Sequence, residues 1–558
     1  MTVAAAMPWL DRYPPGVARD FGGLPFATIP EMFATSVTRY RDQVAFENFG
    51  VPLTYGEVDR LSRDFAAFLQ SGRGLARGER VAVMMPNILQ YPVALFGILR
   101  AGLVVVSVNP LYTARELEHQ LIDSGAVAIV AFEGAAHVVA EVIGRTAVRH
   151  VVVTSIGEML GRPKGWLIDF VLRSVKKMVP PWSIDGAMNF RAALARGRAL
   201  GLTEPALAAD DLAFLQYTGG TTGVSKGAML LHRHILANVG QTAQFFSTTV
   251  EGETEVAVAP LPLYHILALV MNCMNFFMLG SRQVLITNPR DIPRLVRTLR
   301  DSGFTFFVGV NTLYNALAAN ADFARLDFSK VKVFAGGGAP FQTAVADRWK
   351  SITGKALIEG YGLTETSGAV SINLPMSDRH SGCAGLPLPG TMIEIRDDDG
   401  HALPHGEAGE ICVRGPQVMA GYWRRPADTA QVLGADGFLR TGDVGMIRPD
   451  GLLRIVDRLK DMILVSGFNV YPSEIEDILM THPGVAEAAV IGVADARTGE
   501  AVKAFVVRRD PALTAAAVTD HCRACLTGYK VPHQVEFRDT LPKSPVGKIL
   551  RRELRLSV

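Results

Sequence analysis

Eleven residues concentrate the chemistry most visibly: Tyr217-Thr218-Gly219-Gly220-Thr221-Thr222-Gly223-Val224-Ser225-Lys226-Gly227. The glycines let successive backbone N–H groups curl round an anion, the hydroxyls add donors, and Lys226 adds positive charge. Gripping a polyphosphate needs such a loop. It is not a Walker A loop, because no Gly-Lys-Ser/Thr stands at the required spacing. Taken alone, the composition also fits a solvated turn.

Five more segments carry reactive side chains. Ala335-Gly336-Gly337-Gly338-Ala339-Pro340 follows an apolar run over 331–334 and reads as a strand-to-helix turn. Glu359-Gly360-Tyr361-Gly362-Leu363-Thr364-Glu365-Thr366 offers a flat ring and a carboxylate. Glu365 as a mere helix N-cap partner is the bland alternative. Asp443 lies in 436–445, and Arg458 and Lys460 follow in Asp457-Arg458-Leu459-Lys460. Lys548 comes after Pro545 and Gly547 on a short loop, beside the basic Arg551, Arg552 and Arg555. A lysine so presented reaches into a distant site or is simply solvated. His265, in Leu261-Pro262-Leu263-Tyr264-His265-Ile266, is equally readable as a satisfied core residue.

The elements that must hold these groups alternate. Helical spacing over 55–71, 90–101 and 116–124 is interleaved with apolar runs over 80–85, 104–108 and 127–132. Such alternation predicts an α/β protein with parallel-type sheets flanked by helices. Its Gly-rich turns lie where ligands of that fold class bind. From 392 to 414 short strands and the Asp399-Gly400 turn predict a small antiparallel β region. Beyond the charged cluster 457–461 the chain reads as a separate, small α+β unit. The expected domains are 1–457 and 458–558.

At 558 residues the chain exceeds one ordinary core. A net charge of +2 with 20% charged residues gives no reason to expect nucleic acid as a main partner, and none is expected. Five cysteines, with Cys522 and Cys525 one helical turn apart, predict reduced thiols in a cytoplasmic protein rather than a metal or redox site. Residues 256–280 carry no charge, but Pro260 and Pro262 break them into a buried strand, a turn and a core helix. Residues 165–181 mix Trp166, Phe170 and Val175 with Arg173, Lys176 and Lys177. They read as a basic amphipathic helix, either on a lipid surface or covering a core.

The Thr/Gly loop resembles the phosphate-binding loop of the adenylate-forming superfamily of acyl-CoA synthetases, luciferases and peptide-synthetase adenylation domains. The other segments follow in that family's order. From Trp9-Leu10-Asp11-Arg12-Tyr13-Pro14 onward the likeness is greatest to bacterial long-chain fatty-acid-CoA ligases. It departs from the family pattern at Phe438, Arg440 and Leu459, where Trp, His and Lys are frequent, which bears on chain-length preference more than on chemistry.

The resemblance implies a role for each residue. Tyr217, Thr218, Gly219, Gly220, Thr221, Thr222, Gly223 and Lys226 would grip the phosphates of ATP. Gly337, Gly338, Ala339, Glu359, Tyr361, Gly362 and Thr364 would line the adenine site. Asp443 would accept from the ribose hydroxyls, and Arg458 would contact ribose or phosphate. Glu365, with Thr218 nearby, would bind Mg²⁺, and His265 would position the carboxylate. Lys548 would serve adenylation only. Lys460 matches the hinge of a mobile C-terminal domain, and Gly467 the face later turned toward coenzyme A.

Residues 308–314 match the acyl pocket. Neither this segment nor 261–266 carries a charged residue apart from His265. An unpaired buried ammonium is costly, so a plain carboxylic acid is favoured over an amino acid. The expected partners are fatty acid, ATP and CoA, with peripheral contact on the cytoplasmic face of the inner membrane and a homodimer. The rival readings are a medium-chain or aryl-acid CoA ligase, a fatty-acyl-AMP ligase, and a non-catalytic fatty-acid sensor.

Overall fold

Thr54 and Thr113 each start a helix in the same way. Each side chain accepts a hydrogen bond from the backbone N–H three residues on, and Glu57 or Glu116 accepts from the threonine's own N–H. These Thr-x-x-Glu boxes open Tyr55–Ala67 and Ala114–Ser124. Both helices flank a parallel sheet in the computed structural model, which describes residues 7–218, 225–250, 255–375, 380–495, 497–544 and 547–557.

That sheet has seven strands among the described residues. Met188–Asn189, His150–Thr154, Ala128–Phe132, Arg80–Met84, Val104–Ser107 and Leu212–Thr218 run parallel in that order. Lys226–Leu231 then turns back antiparallel to Leu212–Thr218. The sequence places the Thr/Gly loop between these last two strands.

A second sheet of nine strands contains a parallel series: Leu357–Leu363, Val333–Gly336, Phe306–Gly309, Val256–Ala259, Arg282–Leu285 and Val44–Asn48. The glycine turn expected after a strand over 331–334 sits two residues later, because the strand runs through Gly336. Between the sheets Phe277 packs on Phe33, Tyr55 and Phe96 at ring separations of 4.5 to 5.2 Å. Each fully buried ring of this kind contributes about 1.5–3 kcal/mol. Gly197 lets one helix touch another, since a Cβ there would lie 1.7 Å from the Asp64 carbonyl.

The small β region is a four-stranded antiparallel sheet, Met392–Arg396, Gly409–Arg414, Leu439–Ile447 and Leu453–Arg458. A C-terminal sheet follows, built on the long hairpin Val485–Asp495 and Gly499–Arg508, with the helices Pro472–Thr481 and Ala515–Cys525 packed against it. Cys522 is buried and Cys525 exposed, on one helix with both thiols free. The architecture is therefore α/β, a large N-terminal region of parallel-containing sheets with a small C-terminal α+β domain.

Residues 256–280 form the strand Val256–Ala259, a proline turn and the buried helical stretch 266–276. Among the described residues no helix is long and apolar enough to cross a membrane. The amphipathic segment is shorter than expected. It is helical over Lys164–Phe170, widens to a π-turn over Val171–Val175 and then leaves the helix. Ile168 and Leu172 pack on the core, whereas Trp166, Leu167 and Phe170 are exposed.

Candidate active site

Four of the predicted segments leave the C-terminal ends of four adjacent parallel strands. Residues 260–266 follow Val256–Ala259, 310–314 follow Phe306–Gly309, and 337–340 follow Val333–Gly336. Residues 360–365 continue from the fourth strand, where Glu359 pairs with Gly336. This edge is where open α/β sheets bind ligands. The backbones converge closely. A Cβ on Gly337 would lie 2.5 Å from the Gly360 carbonyl, and one on Gly362 would lie 1.8 Å from that of Gly368. Gly338 is exposed with φ +84°, Ala339 is half-buried beside it, and Thr364 opens a short 3₁₀ turn.

Polar side chains lock the turns. Asn87 donates to the carbonyls of Ala259 and Leu261 and accepts from the N–H of Leu263. Gln216 donates to the Tyr264 carbonyl at 2.7 Å, tying the Thr/Gly-loop hairpin to the histidine turn. Phe341 N–H donates to Glu359, whose buried carboxyl also lies 3.6 Å from His380. Burial first, and then Asp477, pushes the Glu359 carboxyl up to about 8. Burial thus favours the neutral form of Glu359, which holds the backbone just after the glycine turn through Phe341.

Tyr361 donates to Asp443 Oδ2 at 2.8 Å, and Arg458 Nε lies 3.0 Å from Asp443 Oδ1. Burial, then Asp443, holds the Tyr361 hydroxyl well above its ordinary value, so it stays a donor. Glu365 accepts from Tyr422 at 2.7 Å. Lys226 pairs with Asp428 at 2.5 Å and sits 5.3 Å from the Tyr422 ring centre. Tyr217 donates to Asp123, which also holds Arg425. Thr218 faces Lys226 across the hairpin. The second oxygen of Glu365 has no protein partner among the described residues and is a hard-oxygen donor of the kind Mg²⁺ prefers. Gly219, Gly220, Thr221, Thr222 and Gly223 lie outside the described residues.

The C-terminal lysine comes to this cleft. Thr312 donates to the Gly547 carbonyl at 3.1 Å, and the turn closes with Gly547 N–H on the Ser544 carbonyl at 2.8 Å. Burial, then the nearby Lys548 charge, lowers His265 to about 4, so its imidazole is neutral at pH 7. Burial, then Arg458, pushes Lys548 down to about 8. Lys548 is nonetheless an exposed residue, so water reaches it. Solvent screening makes that shift smaller than full enclosure would.

Two predicted residues stand apart from the cleft. Lys460 is exposed on the turn Leu459–Asp461. Gly467 is at the exposed tip of the hairpin Ile463–Val465/Phe468–Val470, with φ +85° and nothing within 4 Å of where its Cβ would be. Beneath that turn Arg551 reaches Asp457, Asp461 and Glu476 at 2.7 to 3.4 Å.

Sequence reasoning missed Tyr422, Asp123 and Asp428. No local pattern marks Tyr422. Its neighbours zip along the strand Lys226–Leu231, with Trp423 N–H on the Gly227 carbonyl and Met229 N–H on the Gly421 carbonyl.

The chain resembles known proteins over nearly its whole length. The family model described as AMP-binding enzyme matches residues 33–423, and the AMP-binding enzyme C-terminal domain matches 474–548. The chain is 55% identical to a long-chain-fatty-acid–CoA ligase of Salmonella typhimurium over 98% of its own length and 97% of that protein. A long-chain-fatty-acid–CoA ligase of Haemophilus influenzae is 50% identical over 98% of each chain. The anthranilate CoA ligase AuaEII in complex with anthranoyl-AMP superposes with a TM-score of 0.84 at 26% identity, covering 96% of this chain and 98% of that one. The chain belongs to the AMP-binding enzyme family, the adenylate-forming superfamily, and shares half or more of its residues with these long-chain-fatty-acid–CoA ligases.

Proposed function

We propose that this chain converts a long-chain fatty acid, ATP and CoA into fatty-acyl-CoA, AMP and diphosphate through an acyl-adenylate. The observation that carries the reading is the hydrogen bond from Thr312 to the Gly547 carbonyl, which brings the residue before Lys548 to the C-terminal strand edge where Tyr361 and Glu365 also lie.

A free carboxylate is a poor acyl donor, because oxide is a very poor leaving group. In the first step a carboxylate oxygen attacks the α-phosphorus, a P–O bond forms, and the bond from that phosphorus to the bridging oxygen breaks, releasing diphosphate. The nucleophile is already ionised, so no protein base is needed, and position and charge supply the rate. His265, neutral at pH 7, orients the carboxylate by hydrogen bonding and not by charge. Tyr361 flanks adenine, and Asp443 and Arg458 hold the ribose. The Thr/Gly loop grips the leaving diphosphate, and Lys548 stabilises charge at the α-phosphate. Glu365 and Thr218 would hold Mg²⁺, which when bound offsets phosphate charge.

In the second step the CoA thiol gives up its proton to water, its sulfur attacks the acyl carbon, and the C–O bond to AMP breaks. Diphosphate must leave and a long thiol must enter, so the unit 458–558 turns about Lys460. Gly467 then faces the pantetheine in place of Lys548. The open hairpin tip at Gly467 is free to do so.

The protein works in the cytoplasm and rests on an anionic membrane face through the segment 164–178. Trp166 is 69% exposed, Val175 65% and Met178 58%, and Trp166 stacks on Phe170. Lys176 and Lys177 are exposed beside them. An apolar face rimmed by lysines suits anionic lipid headgroups, and the apolar substrate resides in the same bilayer. Sedimentation equilibrium tests the expected homodimer.

AMP formation with palmitate, octanoate and benzoate, each with and without CoA, tests the main reading. The expected result is CoA-dependent turnover with palmitate well above the other two. Turnover on benzoate alone, or no AMP from any acid, would refute it.

A further inference from the structure

We infer that Thr312 is a positioning residue for the first half-reaction: its hydroxyl docks the Gly547 carbonyl and so seats the neighbouring Lys548 in the cleft. Thr312 is the second residue of the helix Asn311–Ala318, which starts where the strand Phe306–Gly309 ends. That helix start is braced from its other side. Asn311 donates to the Gln342 side chain at 3.0 Å and accepts from the Gln342 N–H at 3.2 Å. A hydroxyl presented there is held by a rigid element on both flanks.

The fit leaves no room for variation on the partner. Gly547 has φ +82°, and a Cβ on it would lie 2.4 Å from Thr312 Oγ1 and 3.4 Å from Val310 Cγ2. The residue before Lys548 must therefore be glycine for the loop to seat. The seated loop is closed on itself by Ser544 N–H on the Lys548 carbonyl at 2.7 Å and by Lys548 N–H on Ser544 Oγ at 3.1 Å. Thr312 takes the Gly547 carbonyl, and the lysine is the next residue along.

This hydrogen bond exists only while the C-terminal domain lies on the cleft. An interaction made in one of two arrangements shifts the balance between them by its own strength. Losing it weakens the arrangement that carries out adenylation and leaves the other untouched. The inference rests on the role given to Lys548 above.

The test measures two half-reactions separately: single-turnover palmitoyl-AMP formation, and thioester formation from supplied palmitoyl-AMP and CoA. The proteins are wild type, Thr312→Val, Thr312→Ser, Lys548→Ala and the Thr312→Val/Lys548→Ala double variant. Thr312→Val keeps shape and removes the donor. It should slow the first half-reaction about three- to tenfold, the range of one neutral hydrogen bond. The second should stay within about twofold of wild type, and Thr312→Ser should restore the first. Without the Lys548 amine the seating has nothing to deliver, so Thr312→Val should add no further loss in the Lys548→Ala background.

Equal slowing of both half-reactions by Thr312→Val, or an undiminished effect in the Lys548→Ala background, overturns the inference. If Lys548→Ala itself fails to separate the half-reactions, the role of Lys548 falls and this inference with it. If Lys548→Ala separates them and Thr312→Val does not, the seating role alone is wrong.

Discussion

Asp443 and Arg458 face each other across the antiparallel strands Leu439–Ile447 and Leu453–Arg458, and the Arg458 guanidinium holds the Asp443 carboxylate at 3.0 Å. Tyr361 holds the same carboxylate from the neighbouring sheet at 2.8 Å. The small β region and the nine-stranded sheet are thus joined at the group assigned to the ribose. Asp443→Asn keeps the shape and loses the charge. It should weaken ATP binding about 10- to 100-fold, the scale of a charge-assisted hydrogen bond. Calorimetric titration with ATP checks this, and an unchanged affinity would remove Asp443 from the nucleotide site.

Glu365 is fixed by Tyr422. Glu365→Gln should raise the Mg²⁺ concentration for half-maximal AMP formation by about tenfold or more, because a carboxylate is the hard ligand the ion prefers. Tyr422→Phe removes only the orienting bond, and outer partners of a metal ligand also matter. It should give a smaller shift in the same direction. A Mg²⁺ titration of initial rate in both variants reads the two effects, and the reverse order would contradict the assignment.

Lys548 is pushed down to about 8, by burial first. Its ammonium is the useful form, so activity is full below that value and is lost as pH rises through it. The pH profile of kcat/KM for adenylate formation, which reports the free enzyme, should therefore fall above about pH 8. Lys548→Arg keeps its charge at every such pH, so its remaining activity should lack this falling limb. A limb that persists unchanged in Lys548→Arg would assign the titration to another group.

Much of this site was legible in the sequence because it is built from backbone turns. Glycine at 337 and 362 marks places where chains touch, and alternating helix and strand patterns put those turns at one sheet edge. Long-range side-chain partners were not legible. Tyr422 reaches Glu365 across 57 residues, and Asp428 reaches Lys226 across 202. Neither has a local pattern to betray it, because tertiary pairing alone brings them together. The side-chain partners of Glu359 were not legible either. Its motif sits at the nucleotide edge, but its side chain turns inward to Phe341 and His380. The segment at 165–181 kept its amphipathic pattern but lost its regular helix after 170, where the chain widens into a π-turn.

The exposed face of that segment yields a further expectation. Trp166→Ala with Phe170→Ala should reduce binding to vesicles containing anionic lipid by about tenfold or more, in line with the apolar area lost. Raised salt should weaken the wild type through Lys176 and Lys177. Trp166 fluorescence should shift to the blue on vesicles of phosphatidylglycerol. Binding that ignores both the double substitution and salt would place the membrane contact elsewhere.

The path of one oxygen atom tests the central claim most directly. Palmitate labelled with ¹⁸O in its carboxyl group is turned over once with ATP and CoA, and the products are weighed by mass spectrometry. If the carboxylate attacks the α-phosphorus and the thiol then displaces AMP, one labelled oxygen must appear in AMP and none in diphosphate. Unlabelled AMP would contradict an acyl-adenylate and the account built on it.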